Sequence, residues 1–125
     1  MRRGSTKGVC VIEDDEEKQR CVATMQGALG PAARVTWSLP MFVEIVNPAV
    51  SKARAVDVAL ERFDASLERS LAIGDAPNDI EMLDAAGFAV AVSSAHESVL
   101  RRADATCAGP EDAGVAECLE ALGLC

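Results

Sequence analysis

The feature that most constrains the fold is an alternation in the second half of the sequence, where helical stripes of apolar residues take turns with short runs that are apolar throughout. After Ser51, residues Val56, Ala59, Leu60 and Phe63 recur at i, i+3, i+4 and i+7, the spacing of one helix face. Leu71-Ala72-Ile73 reads as a short buried strand. A helix with Pro77 in its first turn carries Ile80 and Leu83 inward and stops near Gly87, and the strand Phe88–Val92 follows. A short helix over 97–102, a strand over 105–107 and a last helix bearing Val115, Cys118, Leu119 and Leu122 complete the pattern. Strands apolar on both sides and separated by helices predict an α/β fold, a partial Rossmann-like parallel sheet with helices on both faces.

The first part of the chain has a different rhythm. Val9-Cys10-Val11-Ile12 is a strand candidate, and Asp14 stands where a helix N-cap would, with Glu17 three residues on. Val22, Met25 and Leu29 continue a helical stripe until Gly30-Pro31 ends it, because proline has no N–H to give a helix. Residues 34–38 and 42–46 then read as two strands around Leu39-Pro40-Met41. The change after Asn47-Pro48 divides the chain into residues 1–47 and 48–125.

Composition narrows the function. Twelve Lys and Arg against twenty Asp and Glu give a net charge of −8, and three Phe, one Trp and no Tyr offer no stacking platform, so a nucleic-acid partner is not expected. Five cysteines, an odd number with no C-x-x-C pair, fit reduced thiols inside a cell. The basic start at Arg2, Arg3 and Lys7 is followed by no apolar run of signal-peptide length. The longest clean apolar run, Phe88–Val92, is far short of the ~18 residues of a membrane span, and a cytoplasmic protein without a membrane partner is expected.

Chemistry concentrates in the segment 71–83, where a buried strand ends on Gly74-Asp75 and a helix begins within four residues. Parallel sheets bind ligands at the carboxyl ends of their strands, which displays Asp75 where a site would be. Asp75, Asn78 and Asp79 put two carboxylates and an amide within five residues, hard oxygen donors of the kind Mg²⁺ selects. The competing reading is that Asp75 and Asp79 only cap the helix. Upstream, Lys52 stands in the first turn of a helix, where a cation opposes the helix dipole. A phosphate held by the helix start and the ammonium would account for it; an ordinary surface lysine is the alternative. His96, at another helix start, reads as an exposed residue and not a base, and the acidic run 13–17 as a solvated helix start.

The combination is more specific than its parts. Val50-Ser51-Lys52, Ile73-Gly74-Asp75, the run Asn78-Asp79-Ile80-Glu81-Met82-Leu83, Ala86-Gly87, Ser94-Ala95, Ala103-Asp104 and Gly114-Val115 together resemble the C-terminal part of haloacid dehalogenase (HAD) superfamily phosphatases of the Cof-type, class IIB branch. Residues 9–45, with Ser38-x-Pro40-x-Phe42-x-Glu44-Ile45, resemble the end of that branch's α/β cap, so that 1–47 would be a cap remnant and 48–125 part of the core. The resemblance implies a Mg²⁺-dependent phosphatase of small phosphorylated metabolites such as sugar phosphates. It implies that Lys52 is the catalytic lysine, that Lys52 and Asn78 contact the phosphoryl group, and that Asp75 is the principal metal ligand with Asp79 supporting it through water or Lys52.

The same resemblance implies a nucleophilic aspartate and an acid/base aspartate in an Asp-x-Asp motif, and no Asp-x-Asp of any kind occurs in these 125 residues. Two smaller departures are Ala53, where glycine is usual, and Ser93-Ser94, where Gly-Asn is common. Three readings follow: the C-terminal part of a truncated phosphatase, one half of a split enzyme completed by an N-terminal half, or a noncatalytic phosphate- or metal-binding module. Unless a complementary N-terminal half covers it, the edge of Leu71-Ala72-Ile73 is expected to be open to association.

Overall fold

In the computed structural model, which describes residues 4–124, the chain divides into two units between Ser51 and Lys52. The first contains β1 (Lys7–Val11), α1 (Asp15–Leu29), β2 (Arg34–Leu39) and β3 (Phe42–Val46). The strands form an antiparallel sheet in the order β1-β3-β2, with Val9 opposite Glu44 and Val35 opposite Ile45. Helix α1 starts as its sequence directs, the Asp14 carboxylate accepting the Glu17 N–H at 2.7 Å and so satisfying a donor the helix cannot. Lys18 ties the helix to the β2–β3 turn by donating to the Pro40 carbonyl at 2.7 Å. Among the described side chains of this unit's sheet, Val35 and Val43 are buried.

The second unit comprises α2 (Lys52–Leu60), β4 (Leu71–Gly74), α3 (Ile80–Ala85), β5 (Phe88–Val92), α4 (Glu97–Leu100), β6 (Ala105–Cys107) and α5 (Gly114–Ala121). Its three strands are parallel, in the order β4-β5-β6, with Ile73 beside Val90 and Val90 beside Ala105. The α/β class and parallel sheet expected from the alternation are therefore present. On one face, the alanines Ala72, Ala89 and Ala91 meet Leu83, Ala95 and Val99 in the main buried cluster, small strand side chains leaving room for the helices. By the two-residue alternation of strands, Val90, Ala105 and Cys107 point to the other face, toward α5. Asp104 locks the start of β6 to β5: its backbone N–H donates to the Ala89 carbonyl at 2.8 Å and its carboxylate accepts the Ala89 N–H at 2.9 Å.

Several stripe residues depart from expectation. Phe63 was expected on the buried face of the first helix of this unit and is 78% exposed, and Ala59 is exposed as well. The cause is local: α2 ends at Leu60, residues Glu61–Phe63 tighten into a 3₁₀ turn with a different angular step, and Asp64 follows in the left-handed region at φ 51°. Val115 and Leu122 are also exposed, Val115 in the first turn of α5 and Leu122 just past its end. Among the described residues no helix is long and apolar enough to cross a membrane.

Leu83 and Phe63 give a direct check. Leu83 is 2% exposed, so Leu83→Ala is expected to cost ~2 to 5 kcal/mol in urea denaturation. Phe63→Ala is expected to stay within about 0.5 kcal/mol of the parent, as surface substitutions usually do; a loss comparable to that of Leu83→Ala would contradict the observed helix end.

Candidate functional site

Strand β4 delivers the chain to Gly74 at the carboxyl edge of the parallel sheet, and Asp75-Ala76 leads into a single 3₁₀ turn, Pro77–Asp79, before α3. Asp79 folds back over this loop. Its Oδ2 accepts the backbone N–H of Asp75 at 3.1 Å and of Ala76 at 3.0 Å, and its Oδ1 receives the Lys52 ammonium at 2.5 Å. A carboxylate out of water needs such partners, and the Asp79 side chain is only 3% exposed. Gly74 makes the arrangement sterically feasible: a Cβ there would lie 2.7 Å from the Asp79 Cβ, closer than two carbons can approach.

The electrostatics follow from this packing. Burial is the largest influence on the Asp79 carboxyl and pushes its pKa up. The Lys52 hydrogen bond, the two backbone N–H groups and the Lys52 charge together outweigh it and hold the group below its ordinary value. Lys52 opens α2, where its charge opposes the helix dipole, and the Asp79 carboxylate is the group that offsets this. The Lys52 side chain stays 49% exposed, so its charge still reaches the cleft beside it.

That cleft, of about 490 Å³, has Lys52, Asp75 and Asp79 on its polar side and Ile73, Met82, Val92 and Val115 on its apolar side. The structure thus brings together three of the four residues singled out in the sequence. Asp75 is exposed, and its loop is pinned by the His96 N–H donating to the Asp75 carbonyl at 2.9 Å. Asn78 is not on the cleft wall, and its Oδ1 is buried with no hydrogen-bond partner among the described residues. His96 is exposed as expected and caps α4, its Nδ1 accepting the Ser98 N–H at 3.2 Å.

Sequence reasoning missed the apolar wall. Val115 was assigned to a helix stripe, and the signal for it lay in its position at the start of the helix that follows the last strand, at the ligand-binding edge of a parallel sheet. The His96 backbone contact has no signature in residue type. For a divalent cation, the donors are suitable but few: among the described residues no group of three or more His, Cys, Asp or Glu converges into a complete metal site. Asp75, exposed on the cleft, is a hard donor that fits Mg²⁺, which binds through one or two carboxylates and keeps water or substrate oxygens for its other positions.

Two substitutions test this geometry. Gly74→Ala is expected to displace Asp79 and to destabilise the chain by ~1 to 3 kcal/mol, the usual cost of overpacking. The pKa of Asp79 is depressed in the folded chain, so its stabilising contribution is present above the ordinary value of 3.8 and is lost as pH falls through the lower folded value. Asp79→Asn is therefore expected to cost ~1 to 3 kcal/mol at pH 7 and progressively less as the pH drops below about 4, measured by urea denaturation across that range. A cost independent of pH would contradict the ionised pair.

Comparison with known proteins places this chain in a family. Residues 2–119 match the family described as haloacid dehalogenase-like hydrolase. A phosphoglycolate phosphatase of Archaeoglobus fulgidus is 40% identical over 80 residues, which are 64% of this chain and 36% of that protein. A 5-amino-6-(5-phospho-D-ribitylamino)uracil phosphatase of Bacillus subtilis is 35% identical over 85 residues, 67% of this chain and 32% of its own length. The solved structure of a sugar phosphatase of HAD subclass IIB superposes with a TM-score of 0.78 at 25% identity, covering 95% of this chain and 44% of that one. The chain thus spans about a third of the length of the curated relatives it matches. With its parallel sheet, its lysine and its strand-end aspartates in the order the sequence suggested, the chain belongs to the haloacid dehalogenase-like hydrolase family and resembles its subclass IIB phosphatases.

Proposed function

We propose that this chain supplies the phosphate-binding lysine and part of the Mg²⁺ site of a phosphatase acting on small phosphoric monoesters. The observation that carries the reading is the Lys52–Asp79–Asp75 arrangement, a cation and an exposed carboxylate on one cleft at the carboxyl edge of a parallel sheet. Lys52 neutralises charge on the phosphoryl oxygens as the bond to the leaving group breaks, and Asn78 donates a hydrogen bond through its amide nitrogen. Asp75 is the carboxylate this chain offers to Mg²⁺. Asp79 supports the metal indirectly, by holding Lys52 and the Asp75 loop. When bound, the cation polarises the phosphoryl group and offsets its charge.

The relatives named above act on phosphoglycolate, on a phosphorylated ribitylaminouracil and on sugar phosphates, which supports a small phosphorylated metabolite as the substrate class. Covalent phosphoryl transfer also needs a nucleophile in line with phosphorus and a proton donor for the leaving oxygen. With no Asp-x-Asp in the 125 residues, we assign both to a complementary segment, N-terminal in the family's order. Strand β4 is at the edge of its sheet, and a strand added there would bring such groups beside Asp75.

The purified 125-residue polypeptide is expected to hydrolyse p-nitrophenyl phosphate with Mg²⁺ little faster than buffer. Adding a segment that carries the Asp-x-Asp strand of a family member is expected to give Mg²⁺-dependent turnover, which Lys52→Ala lowers by roughly 10²- to 10³-fold, the usual loss for one charge-stabilising group. Robust hydrolysis by the pure, monomeric 125-residue chain would overturn the assignment of the nucleophile, and unchanged turnover in Lys52→Ala would overturn the role of the lysine.

A further inference from the structure

A second cleft, of about 380 Å³, lies between the face of the parallel sheet opposite the main cluster and helix α5, and two cysteines line it from opposite sides. Cys107 ends β6 and is 8% exposed, whereas Cys118 sits on α5 and is half-buried; neither is in a disulfide. The approach of helix to strand is unusually close. A Cβ on Gly114 would lie 2.0 Å from the Ala108 carbonyl oxygen, so the first turn of α5 rests directly on the backbone that follows Cys107.

From that contact the two thiols can be placed. Cys118 follows Gly114 at i+4, on the same helix face and about 6 Å further along the axis. Cys107 lies one residue before Ala108, about 3.3 Å back along the strand. The cleft is walled by Phe88 and Ala105 at the strand starts and by Leu122 at the helix end, so α5 runs back along the sheet and carries Cys118 over Cys107. Disulfides need Cα atoms about 4.4 to 6.8 Å apart, and the close contact of Gly114 with Ala108 favours such an approach of α5 to β6.

We propose that Cys107 and Cys118 are a redox-modification site, closing to a reversible intramolecular disulfide that fastens α5 to β6. The oxidant is a low-molecular-weight disulfide such as oxidised glutathione. The more exposed Cys118 thiolate attacks one of its sulfurs, forming a mixed disulfide and releasing one thiolate. The Cys107 thiolate then attacks the Cys118 sulfur, the protein disulfide forms, and the second small thiolate leaves. Two protein thiols are oxidised, one small disulfide is reduced to two thiols, and the two protons end on the released thiols. The order follows from access and charge: burial first, and the neighbouring Cys118 second, push the Cys107 thiol above its ordinary value, which suits it to resolve and not to initiate. Val115, on the same helix, lines the Lys52 cleft, so the crosslink fixes one wall of the site already described.

The test equilibrates the folded 125-residue chain with reduced and oxidised glutathione, quenches with acid, alkylates, and cleaves after glutamate. Glu111, Glu117 and Glu120 separate Cys107, Cys118 and Cys125 into different peptides. The expected product is monomeric protein with Cys107 and Cys118 peptides joined, at an equilibrium constant at least about tenfold above that of the same chain in guanidinium, where the fold no longer brings the thiols together. Cys118→Ser is expected to leave Cys107 without a glutathione adduct, and Cys107→Ser to stop at a mixed disulfide on Cys118. Mixed disulfides alone on the unaltered chain, a bridge to Cys10, Cys21 or Cys125 in its place, or equal constants in buffer and guanidinium would each overturn the proposal, and none of these readings requires a variant to fold.

Discussion

A single buried carboxylate organises the carboxyl edge of the parallel sheet. Taking Asp79 out of water carries a penalty of several kcal/mol unless its oxygens are satisfied. The satisfaction comes from separate parts of the second unit: the ammonium at the start of α2 and two N–H groups in the loop after β4. Each donor fixes the piece of chain that bears it, so a helix start and a strand end are held in one geometry by one side chain. Gly74 belongs to the same constraint, because any larger residue would occupy the space of the Asp79 side chain.

This constraint separates the roles of two carboxylates only four residues apart. Asp79 is spent on internal contacts and is kept ionised by them, whereas Asp75 stays exposed on the cleft. Environment assigns the roles, as it does wherever two like groups in one site do different work. The lysine benefits in turn. In a chain of net charge −8, a lone cation would be a weak attractor of phosphate, and a half-exposed ammonium directed by a buried partner is a placed one. In the proposed function, charge stabilisation is needed at a defined position, and this pair would supply it.

Much of this was legible in the residues. The strands at 71–74 and 88–92 fall where short apolar runs stand, and the strand at 105–107, whose Thr106 is exposed, falls where the helix–strand alternation expects one. Asp14 marks the start of α1 because N-capping is chemistry of adjacent residues. Gly74 was placed at the strand end, but that its missing side chain makes room for Asp79 depends on a turn whose path no periodicity reports. Phe63 fits the spacing of a helix stripe and yet is exposed, since the stripe assumes a uniform 100° step and the chain tightens after Leu60. That Cys107 and Cys118 line one cleft was hidden for a similar reason: eleven residues apart in sequence, they share it where Gly114 packs against Ala108.

The ionisation of Asp79 is the point on which the site depends, and its side-chain carboxyl carbon reports it directly by NMR titration. The account predicts a midpoint below the ordinary 3.8 in the parent chain. In Lys52→Met it predicts a midpoint moved upward, because burial is then opposed by the backbone N–H groups alone. A parent midpoint at or above the ordinary value, or one that Lys52→Met leaves in place, would contradict the claim that this ion pair holds the site together.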